Sequence, residues 1–442
     1  MSSTKSPDHE VSQPTAPAPV DPSPRRPSWR SPSRPEFWRS PLRGPWLTSF
    51  LGTLLVPAIA LMLLTGFVSY WAYYPDLGGN APLNTGASFP ALFHIPASWP
   101  AWSYAVNQGT HVTLGLMTLP FILAKLWSVM PKLFQRPVVS SVAGALERLS
   151  LLGLVASTLV EFTTGILDID YHFPGSVINF YAVHYYGAWV FAVLFVLHAC
   201  VKLPTVRRAY RERGVLKPLL QRLPETVPEP PVADGLAPAN PAAPTISRRG
   251  LLAMLGGASL TIFAVQAGES IGGPLRKLAL LAPRGRTFGT GPNDFPVNHT
   301  AAIAQVTSAM TGPAWRLMAV GERTVSLTRP QLLEMAQATH TVTIACTEGW
   351  STTQRWTGVR IADLARLVNA PRGGVLRVAS LEADYQATFG HSQFMDDRAL
   401  LALQVNGTDL SPDHGYPARL VVPNVPGTHN IKWVSELRFE AA

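Results

Sequence analysis

The chain has 442 residues, of which 47% are hydrophobic and only 14% are charged, and its formal net charge is +9. Soluble domains carry about 25% charged residues, so this composition is atypical of a soluble protein and indicates membrane helices joined to polar segments. The two cysteines, Cys200 and Cys346, exclude a disulfide framework and a cysteine-rich zinc or iron–sulfur site.

Long apolar runs dominate the first half of the chain. Residues 1–45 are rich in Pro, Ser and Arg, which predicts a disordered cytoplasmic tail. A four-helix membrane unit is predicted over residues 46–202, because four runs approach or exceed the roughly 20 residues that cross a bilayer. These runs cover residues 50–71, 105–127, 149–167 and 178–201. Residues 203–246 begin basic, become Pro- and Ala-rich, and are predicted to form a cytoplasmic linker.

The basic residues lie on alternate sides of these runs. Six arginines precede the first run, Lys132, Arg136 and Arg148 lie between the second and third, and further lysines and arginines follow the fourth. The two remaining connections contain no Lys or Arg. The positive-inside rule therefore predicts a cytoplasmic N-terminus and an external C-terminal part. Since the charge acts as an orientation signal and forms no basic patch interleaved with aromatics, nucleic-acid binding is not expected.

Three histidines lie inside the predicted membrane runs: His111 in the second, and His184 and His198 in the fourth. Ionisable side chains in a bilayer are usually functional, although a histidine can also simply bond a neighbouring helix. His184 and His198 are 14 residues apart, which places them about 21 Å apart along a helix and on nearly the same face. His111 and His184 are predicted at similar depth near the outer surface, so their imidazoles could hold one haem iron.

This pattern resembles the four-helix di-haem cytochrome b family that exchanges electrons with quinones. The resemblance implies a haem b between His111 and His184, His198 as a candidate ligand of a second haem iron, and the quinone pool as electron partner. Lys125 stands 14 residues after His111, where the family has another histidine. Lys125 would either ligate iron as a neutral amine or extend its ammonium to the headgroups, so one or two haems are expected. Glu161 in the third run would either carry protons for a quinone or bond a neighbouring helix.

A fifth membrane helix is predicted over residues 247–268. Arg248 and Arg249 precede its apolar run, and the pair resembles a twin-arginine export signal. Basic residues also commonly flank membrane helices, which explains the same pair. No small-residue cleavage site stands out clearly, so the helix is expected to stay as an anchor. Residues 269–285 are predicted to form a second linker.

Residues 286–442 are predicted to form a compact external domain, with strands at 341–345, 375–378 and 419–422 and a helix at 361–368. Cys346 follows the first of these strands, where a thiolate can bind a soft metal, although a lone cysteine is more often a small buried hydrophobe. The segments ACTEGWSTTQRWTGVRIADL, NGTDLSPDHGYPARLVVP and NIKWV resemble the molybdopterin-binding domain of the sulfite oxidase fold over residues 290–440.

The resemblance implies that Cys346 is the protein ligand of molybdenum, with Thr347 beside it at the cofactor. A further set of side chains would hold the pterin ring and its phosphate, the latter through charge-assisted hydrogen bonds. These residues are Asn298, His299, His414, Arg419 and Lys432.

The loop after Cys346 differs from that of sulfite oxidases, which typically carry an arginine there. Glu348 takes part in this loop and would repel an anionic substrate if it faced the pocket. The loop is more similar to the bacterial periplasmic branch that reduces methionine sulfoxide and draws electrons from a separate haem membrane subunit.

Together these features predict a multi-domain membrane protein: an all-α four-helix cytochrome b-like bundle, a fifth anchor helix, and an external α+β domain of the sulfite oxidase fold. The expected function is that of a multi-pass oxidoreductase of the bacterial cell membrane. It would pass electrons between the quinone pool and a periplasmic molybdenum site through haem b, and reduce a small-molecule or methionine-sulfoxide-type oxide. The alternatives are oxidation of a small sulfur compound with electrons delivered to quinone, and a haem membrane protein whose external domain only binds.

Overall fold

The structure is a computed structural model that describes residues 31–32, 34, 37–80, 92–134, 142–170, 178–231 and 235–442. Five long helices lie in the first part of the described chain: α1 (Pro45–Trp71), α2 (Ser103–Phe134), α3 (Val142–Asp170), α4 (Phe180–Arg213) and α5 (Arg248–Gln266). All five are long and apolar enough to cross a membrane, with the last apolar segment reaching Ile271. The five predicted membrane helices are therefore confirmed as helices, and α4 continues through residues 203–213 of the predicted linker.

Part of the segment before α1 packs against the helices. Of the predicted tail, residues 1–30 lie outside the described residues. Leu42 and Arg43 are buried, and the Arg43 guanidinium lies 4.5 Å from the ring of Trp38 and 4.3 Å from that of Trp127. These contacts attach the end of the predicted tail to α2.

Helices α1 to α4 form two tightly packed hairpins. α1 packs along α2, α3 packs along α4, and α1 also contacts α4, whereas α2 and α3 touch only sparsely. Helix α5 lies outside this group against α2. Large apolar side chains point outward from the helices, for example Leu64, which is 58% exposed, and Val193, which is 66% exposed. Such surfaces suit lipid better than water.

The C-terminal part contains ten strands: β1 (Leu317–Val320), β2 (Thr324–Leu327), β3 (Ala338–Ala345), β4 (Ser351–Arg360), β5 (Val375–Ser380), β6 (Gln386–Phe389), β7 (Leu400–Val405), β8 (Thr408–Asp409), β9 (Arg419–Val421) and β10 (Val434–Glu440). One sheet has the order β2-β1-β10-β5-β6, in which β1 and β10 are parallel. The other has the order β3-β4-β7-β8, with β9 paired to β7. A short helix, α6 (Gly268–Ile271), follows α5 directly, and three short helices lie between strands: α7 (Arg329–Glu334), α8 (Ile361–Leu367) and α9 (His391–Phe394).

A shared apolar core joins the two sheets. Leu317 and Leu376 from the first sheet pack in one cluster with Leu401 and Leu420 from the second, and Leu364 of α8 completes it. The three predicted strands coincide with β3, β5 and β9, and the predicted helix coincides with α8. The predicted α+β architecture of the external domain is confirmed.

The external domain is attached to the helical bundle by specific hydrogen bonds. Asn80, in the loop after α1, exchanges two hydrogen bonds of 2.6 and 2.7 Å with the backbone of Thr388 on the edge strand β6. Asn424 donates to Trp99 O at 3.0 Å, and Arg398 also donates to that carbonyl at 3.0 Å. Because these contacts pair the backbone of an edge strand and satisfy backbone carbonyls of the bundle's loops, they fix one orientation of the domain on the bundle.

Candidate functional site

Cys346 lies immediately after β3 and is only 3% exposed. Its backbone N–H donates to Trp350 O at 2.9 Å, which closes a tight loop, and Asn298 Nδ2 donates to its Sγ at 3.3 Å. Burial first, and the nearby Glu348 carboxylate second, raise the pKa of the Cys346 thiol above its ordinary value. A bound metal cation reverses that shift, because it takes the sulfur as a thiolate. The site therefore fits a metal ligand better than a free nucleophile.

Two cationic side chains, the buried Arg419 and the half-buried Lys432, interact electrostatically with each other, and Lys432 also interacts with Cys346. Arg419 is 6% exposed, its guanidinium lies 5.4 Å from the ring of Trp356, and no carboxylate of the described residues lies within ion-pair distance. Its Nε has no hydrogen-bond partner within the described part of the chain. Lys432 Nζ donates to His299 O at 2.5 Å. Burial lowers the pKa of Arg419 to about 10 and that of Lys432 to about 7, and Arg419 further lowers the latter. Two adjacent cations of this kind, one buried and one half-buried, fit an anionic group such as a phosphate.

The predicted histidines take different places around these cations. His299 Nε2 pairs with Glu382 Oε1 at 2.8 Å. His414 stacks on Phe295 with ring centres 3.6 Å apart, and its Nε2 donates to Asn293 O at 2.8 Å. Burial lowers the pKa of His414 to about 3, so the ring is neutral. Asn298 thus contacts Cys346, Lys432 bonds the neighbouring His299, and Arg419 lies beside Lys432. The His414 ring holds residues 293–299, the entry segment, and its carbonyl accepts from Arg419.

The loop after Cys346 rests on helix α2 and on α6. Thr347 O accepts a hydrogen bond of 2.6 Å from Gln108 Nε2 on α2. Gly349 has φ +100°, and a Cβ there would lie 2.9 Å from Val112. Ser270, in the predicted second linker, donates to Gly349 O at 2.5 Å. Gln108 was not predicted from the sequence. The only indication of its role there is an amide side chain one turn before His111 in an apolar run.

The Glu348 carboxylate is held by hydrogen bonds from two neighbouring side chains. Arg284 donates to both carboxylate oxygens, at 2.6 and 3.0 Å, and Trp350 Nε1 donates to Oε2 at 2.7 Å. The carboxylate is 2% exposed and its charge is compensated. The condition for repulsion of an anionic substrate, an unpaired Glu348 facing the pocket, is therefore not met.

His111 and His184 face each other within the bundle. Their ring centres are 6.1 Å apart. Two imidazoles that bind one metal ion have nitrogens about 2.0 Å from the metal, which places the ring centres roughly 6 Å apart. His111 Nδ1 donates to Met62 O at 3.0 Å, and His184 Nδ1 donates to Glu161 O at 3.1 Å. These bonds leave each Nε2 as the acceptor that can bind a metal.

The two hairpins support their histidines in the same way. Thr65 Oγ1 lies 3.2 Å from His111 Nδ1, and Thr164 Oγ1 lies 3.1 Å from His184 Nδ1. A Cβ at Gly66 would lie 2.8 Å from His111 Cε1, and a Cβ at Gly165 would lie 3.1 Å from His184 Cε1. A Thr-Gly pair on the odd-numbered helix therefore makes room for the imidazole of the even-numbered helix in each hairpin. The sequence analysis missed this pairing.

A single cavity of about 1010 Å³ connects these residues. It is lined by Lys125 and His198 at one end, then by His111 and His184, and reaches Thr347 and His429 at the other. Its volume is at the upper end of cofactor pockets, roughly 300–1,000 Å³. The cavity joins the interior of the bundle to the residue next to Cys346.

His429 lines the end of this cavity nearest Thr347 and was not identified from the sequence. It is 7% exposed, and its ring lies edge-on to Tyr73 at 5.1 Å and to Phe389 at 6.0 Å. Burial lowers the pKa of His429 to about 4, so its imidazole is neutral at physiological pH.

Known proteins resemble the external domain. Residues 304–442 match the family model described as Oxidoreductase molybdopterin binding domain. Mitochondrial sulfite oxidase of Rattus norvegicus is 36% identical over 103 residues, which are 21% of this chain and 19% of that protein. The uncharacterized oxidoreductase YuiH of Bacillus subtilis is 30% identical over 97 residues, 22% of this chain and 49% of its own length. This chain thus spans half or less of these relatives.

A solved structure of the sulfane dehydrogenase SoxCD from Paracoccus pantotrophus is also similar, at 30% sequence identity. The match covers 28% of this chain and 38% of the SoxCD chain, with a TM-score of 0.27. The match of the family model defines the C-terminal region as a molybdopterin-binding oxidoreductase domain of the sulfite oxidase type. Within the described ranges, no three His, Cys, Asp or Glu side chains converge on a metal site.

Proposed function

We propose that this protein is a quinone-linked, molybdopterin-dependent oxidoreductase of the bacterial cell membrane, with molybdenum at Cys346 and a haem b between His111 and His184. The observation that carries the proposal is the single cavity that runs from the bundle interior past both histidines to Thr347. The two proposed redox sites thereby share one protein interior.

The residues of the external domain divide the work of holding the cofactor. Cys346 would ligate the metal, and Asn298 would orient the sulfur through its hydrogen bond. Arg419 and Lys432 would bind the phosphate of the pterin by charge-assisted hydrogen bonds. When bound, the molybdenum cofactor supplies oxygen-atom transfer. His414 and His299 would keep the entry segment in place through Asn293 and Glu382.

The residues of the bundle would fix the haem ligands before the haem binds. The carbonyls of Met62 and Glu161 accept from the Nδ1 atoms and thereby set the tautomer of each imidazole. When bound, the haem supplies one-electron transfer. Glu161 Oε2 also lies 3.4 Å from His184 Nδ1, so a carboxylate lies beside the proposed ligand.

We favour reduction of a sulfoxide or similar oxide as the reaction. Two electrons and two protons would convert the sulfoxide to the sulfide and water. The support is the resemblance of the loop from Thr347 to Gln354 to that of methionine sulfoxide reductases. Thr347 itself accepts a hydrogen bond from Gln108 of the bundle, so in this proposal the loop lies next to the region that would donate electrons.

Oxidation of a small sulfur anion is the second candidate. The compensated charge of Glu348 favours it, because the Arg284 pair removes the repulsion that an anion would meet. Similar proteins in rat and Arabidopsis thaliana are named sulfite oxidases. In this direction water supplies the oxygen atom, and two electrons would pass to quinone with release of two protons.

The orientation proposed is a cytoplasmic N-terminus and a periplasmic molybdenum domain, which rests on the distribution of Lys and Arg. We propose that α5 stays attached. Arg248 is 1% exposed and donates to Pro41 O at 3.3 Å and Val227 O at 3.1 Å, so the first arginine of the pair takes part in the fold.

The test is cofactor analysis with assays in both directions on the full-length protein in detergent. We expect one molybdenum per chain, a b-type haem spectrum, and dye-driven reduction of methionine sulfoxide that exceeds oxidation of sulfite. Faster sulfite oxidation would select the second candidate. Haem without molybdenum, in a host that makes the cofactor, would reject the enzyme and leave a binding module.

A further inference from the structure

We propose that the inner end of the cavity binds the ring of a quinone, with the ammonium of Lys125 as its hydrogen-bond donor. This proposal rests on the proposed function in so far as a quinone is the electron partner, and it assigns that partner a place. The inner end is the part of the cavity lined by Lys125, His198 and Lys202.

On α1, a slot formed by an accepting backbone carbonyl and a glycine receives the Lys125 side chain, just as another such slot receives His111. His111 bonds Met62 O and lies against Gly66. Lys125, 14 residues further along α2, donates to Thr48 O at 2.6 Å and lies against Gly52, where a Cβ would be 3.2 Å from Nζ. Thr48 and Gly52 precede Met62 and Gly66 by the same 14 residues. An imidazole occupies the outer slot and an amine the inner one.

The second hairpin lacks the matching inner slot. Gly165 makes room for His184 at the outer level. The residue 14 positions earlier on α3 is Leu151, which is buried and lines the cavity. His198 of α4 lines the cavity, but the corresponding position of α3, residue 151, is not a glycine. The inner level therefore lacks the two symmetric imidazoles that the outer level offers to a metal.

The lining of the inner end fits a ligand that only accepts hydrogen bonds. Lys125 lies close enough to Lys202 to interact with it electrostatically. The walls between them and the histidine pair are apolar, formed by Leu126, Leu154 and Phe195 among others. The two carboxylates in the cavity lining, those of Glu161 and Asp168, come from the outer half of α3. A quinone ring matches this chemistry, since its carbonyl oxygens accept from a cation while its ring and tail contact apolar side chains.

The bundle also offers a path from the bilayer. Helices α2 and α3 touch only sparsely, whereas the other neighbouring pairs of the four-helix group pack along each other. A lipid-soluble molecule can enter between α2 and α3 without crossing the external domain. The inner site would then lie about 21 Å along the helix axis from the His111 level, within one continuous cavity.

The test is direct binding of a short-chain quinone to the full-length protein in quinone-free detergent micelles, followed by tryptophan fluorescence. Lys125→Met removes the cation at similar length, and Lys125→Gln keeps a neutral donor. Lys217→Met is the matched control, because Lys217 is exposed and does not line the cavity. We expect Kd to rise about tenfold or more for Lys125→Met, by less for Lys125→Gln, and not for the control. The haem spectrum, which reports the fold of the bundle, should be unchanged in all three.

Four results would overturn the proposal. Unchanged binding in Lys125→Met places the quinone elsewhere. Loss of one of two haems in that variant makes Lys125 an iron ligand. Equal weakening by Lys217→Met, or equal binding of an anionic phospholipid headgroup in place of the quinone, indicates general attraction to the basic surface. Because binding is measured without turnover, Cys346→Ser should leave Kd unchanged, so failure of the proposed enzyme activity is distinguishable from failure of this site.

Discussion

The helical bundle and the external domain arrange their proposed cofactor ligands in opposite ways. In the bundle, two hairpins repeat one motif: His111 and His184 each bond a carbonyl of the partner helix and lie against a glycine. In the external domain, one cysteine at a strand end meets side chains that the chain supplies from distant loops. Two symmetric ligands in one region and a single ligand in the other predict different responses to mutation.

The largest effect is expected at the single ligand. Cys346→Ser should abolish molybdenum-dependent turnover, by a factor of at least about 10³, because no other described thiol lies at the site. The haem spectrum should be unchanged, since the bundle is untouched. Turnover and spectrum are measured on the same sample. Cys200→Ser is the control, as Cys200 is exposed and should keep full activity. Retained activity in Cys346→Ser would show that the ligand assignment is wrong.

The bundle should lose its haem when either facing histidine is removed. His111→Ala and His184→Ala each leave one imidazole where two lie with ring centres 6.1 Å apart, so we expect haem content to fall most of the way to zero while molybdenum content is retained. His198→Ala is the contrasting variant and should keep the haem. Haem per chain is measured by the pyridine haemochrome spectrum. Equal loss in all three variants would mean that the inner and outer levels are equivalent.

A smaller effect is expected from the glycines that face the two imidazoles. Gly66→Ala places a Cβ 2.8 Å from His111 Cε1, and Gly165→Ala places one 3.1 Å from His184 Cε1. Gly115→Ala is the control, since its nearest neighbour, Met62 Sδ, is 3.9 Å away. We expect the haem midpoint potential or content to change in the order Gly66, Gly165, Gly115, because each imidazole must move to relieve the contact. Redox titration checks the order, and a change in Gly115→Ala as large as in Gly66→Ala would contradict it.

The smallest effect concerns pH and the external domain. Burial lowers the pKa of His429 to about 4 and that of His414 to about 3, whereas both titrate near 6.5 when unfolded. Above pH 6.5 neither state binds the proton, so the histidines contribute nothing. As pH falls from 6.5 towards 4, only the unfolded state gains protons, and the free energy of unfolding falls by at most about 3 kcal/mol for His429.

His429→Gln should therefore reduce the drop in Tm of the external domain between pH 7 and pH 5, measured by calorimetry on the full chain. His391→Gln replaces an exposed histidine and should leave the drop unchanged. An equal drop in Tm in the wild-type protein and His429→Gln would show that His429 does not contribute to the acid sensitivity of the domain.

Features that depend on residues close together in the chain could be predicted from the sequence, and most contacts between distant residues could not. The five helices follow from apolar runs, and the pairing of His111 with His184 follows from their similar predicted depth in two of these runs. Cys346 could be predicted because it directly follows a strand-like run. The Arg284–Glu348 pair and the bond from Gln108 to Thr347 could not, because they join residues 64 and 239 positions apart. The Thr-Gly support of each histidine was missed for the same reason, since it depends on how the two helices of a hairpin align.

The most direct test of the account is electron transfer through the whole protein. A water-soluble quinol analogue is used to reduce the haem of the full-length protein under anaerobic conditions, and methionine sulfoxide is then added while the haem spectrum is followed. The account predicts rapid reoxidation of the haem in the wild-type protein and none in Cys346→Ser. Haem that stays reduced in the wild-type protein with sulfoxide, and also stays oxidised when sulfite is supplied in place of quinol, would contradict the proposed connection between the bundle and the molybdenum domain.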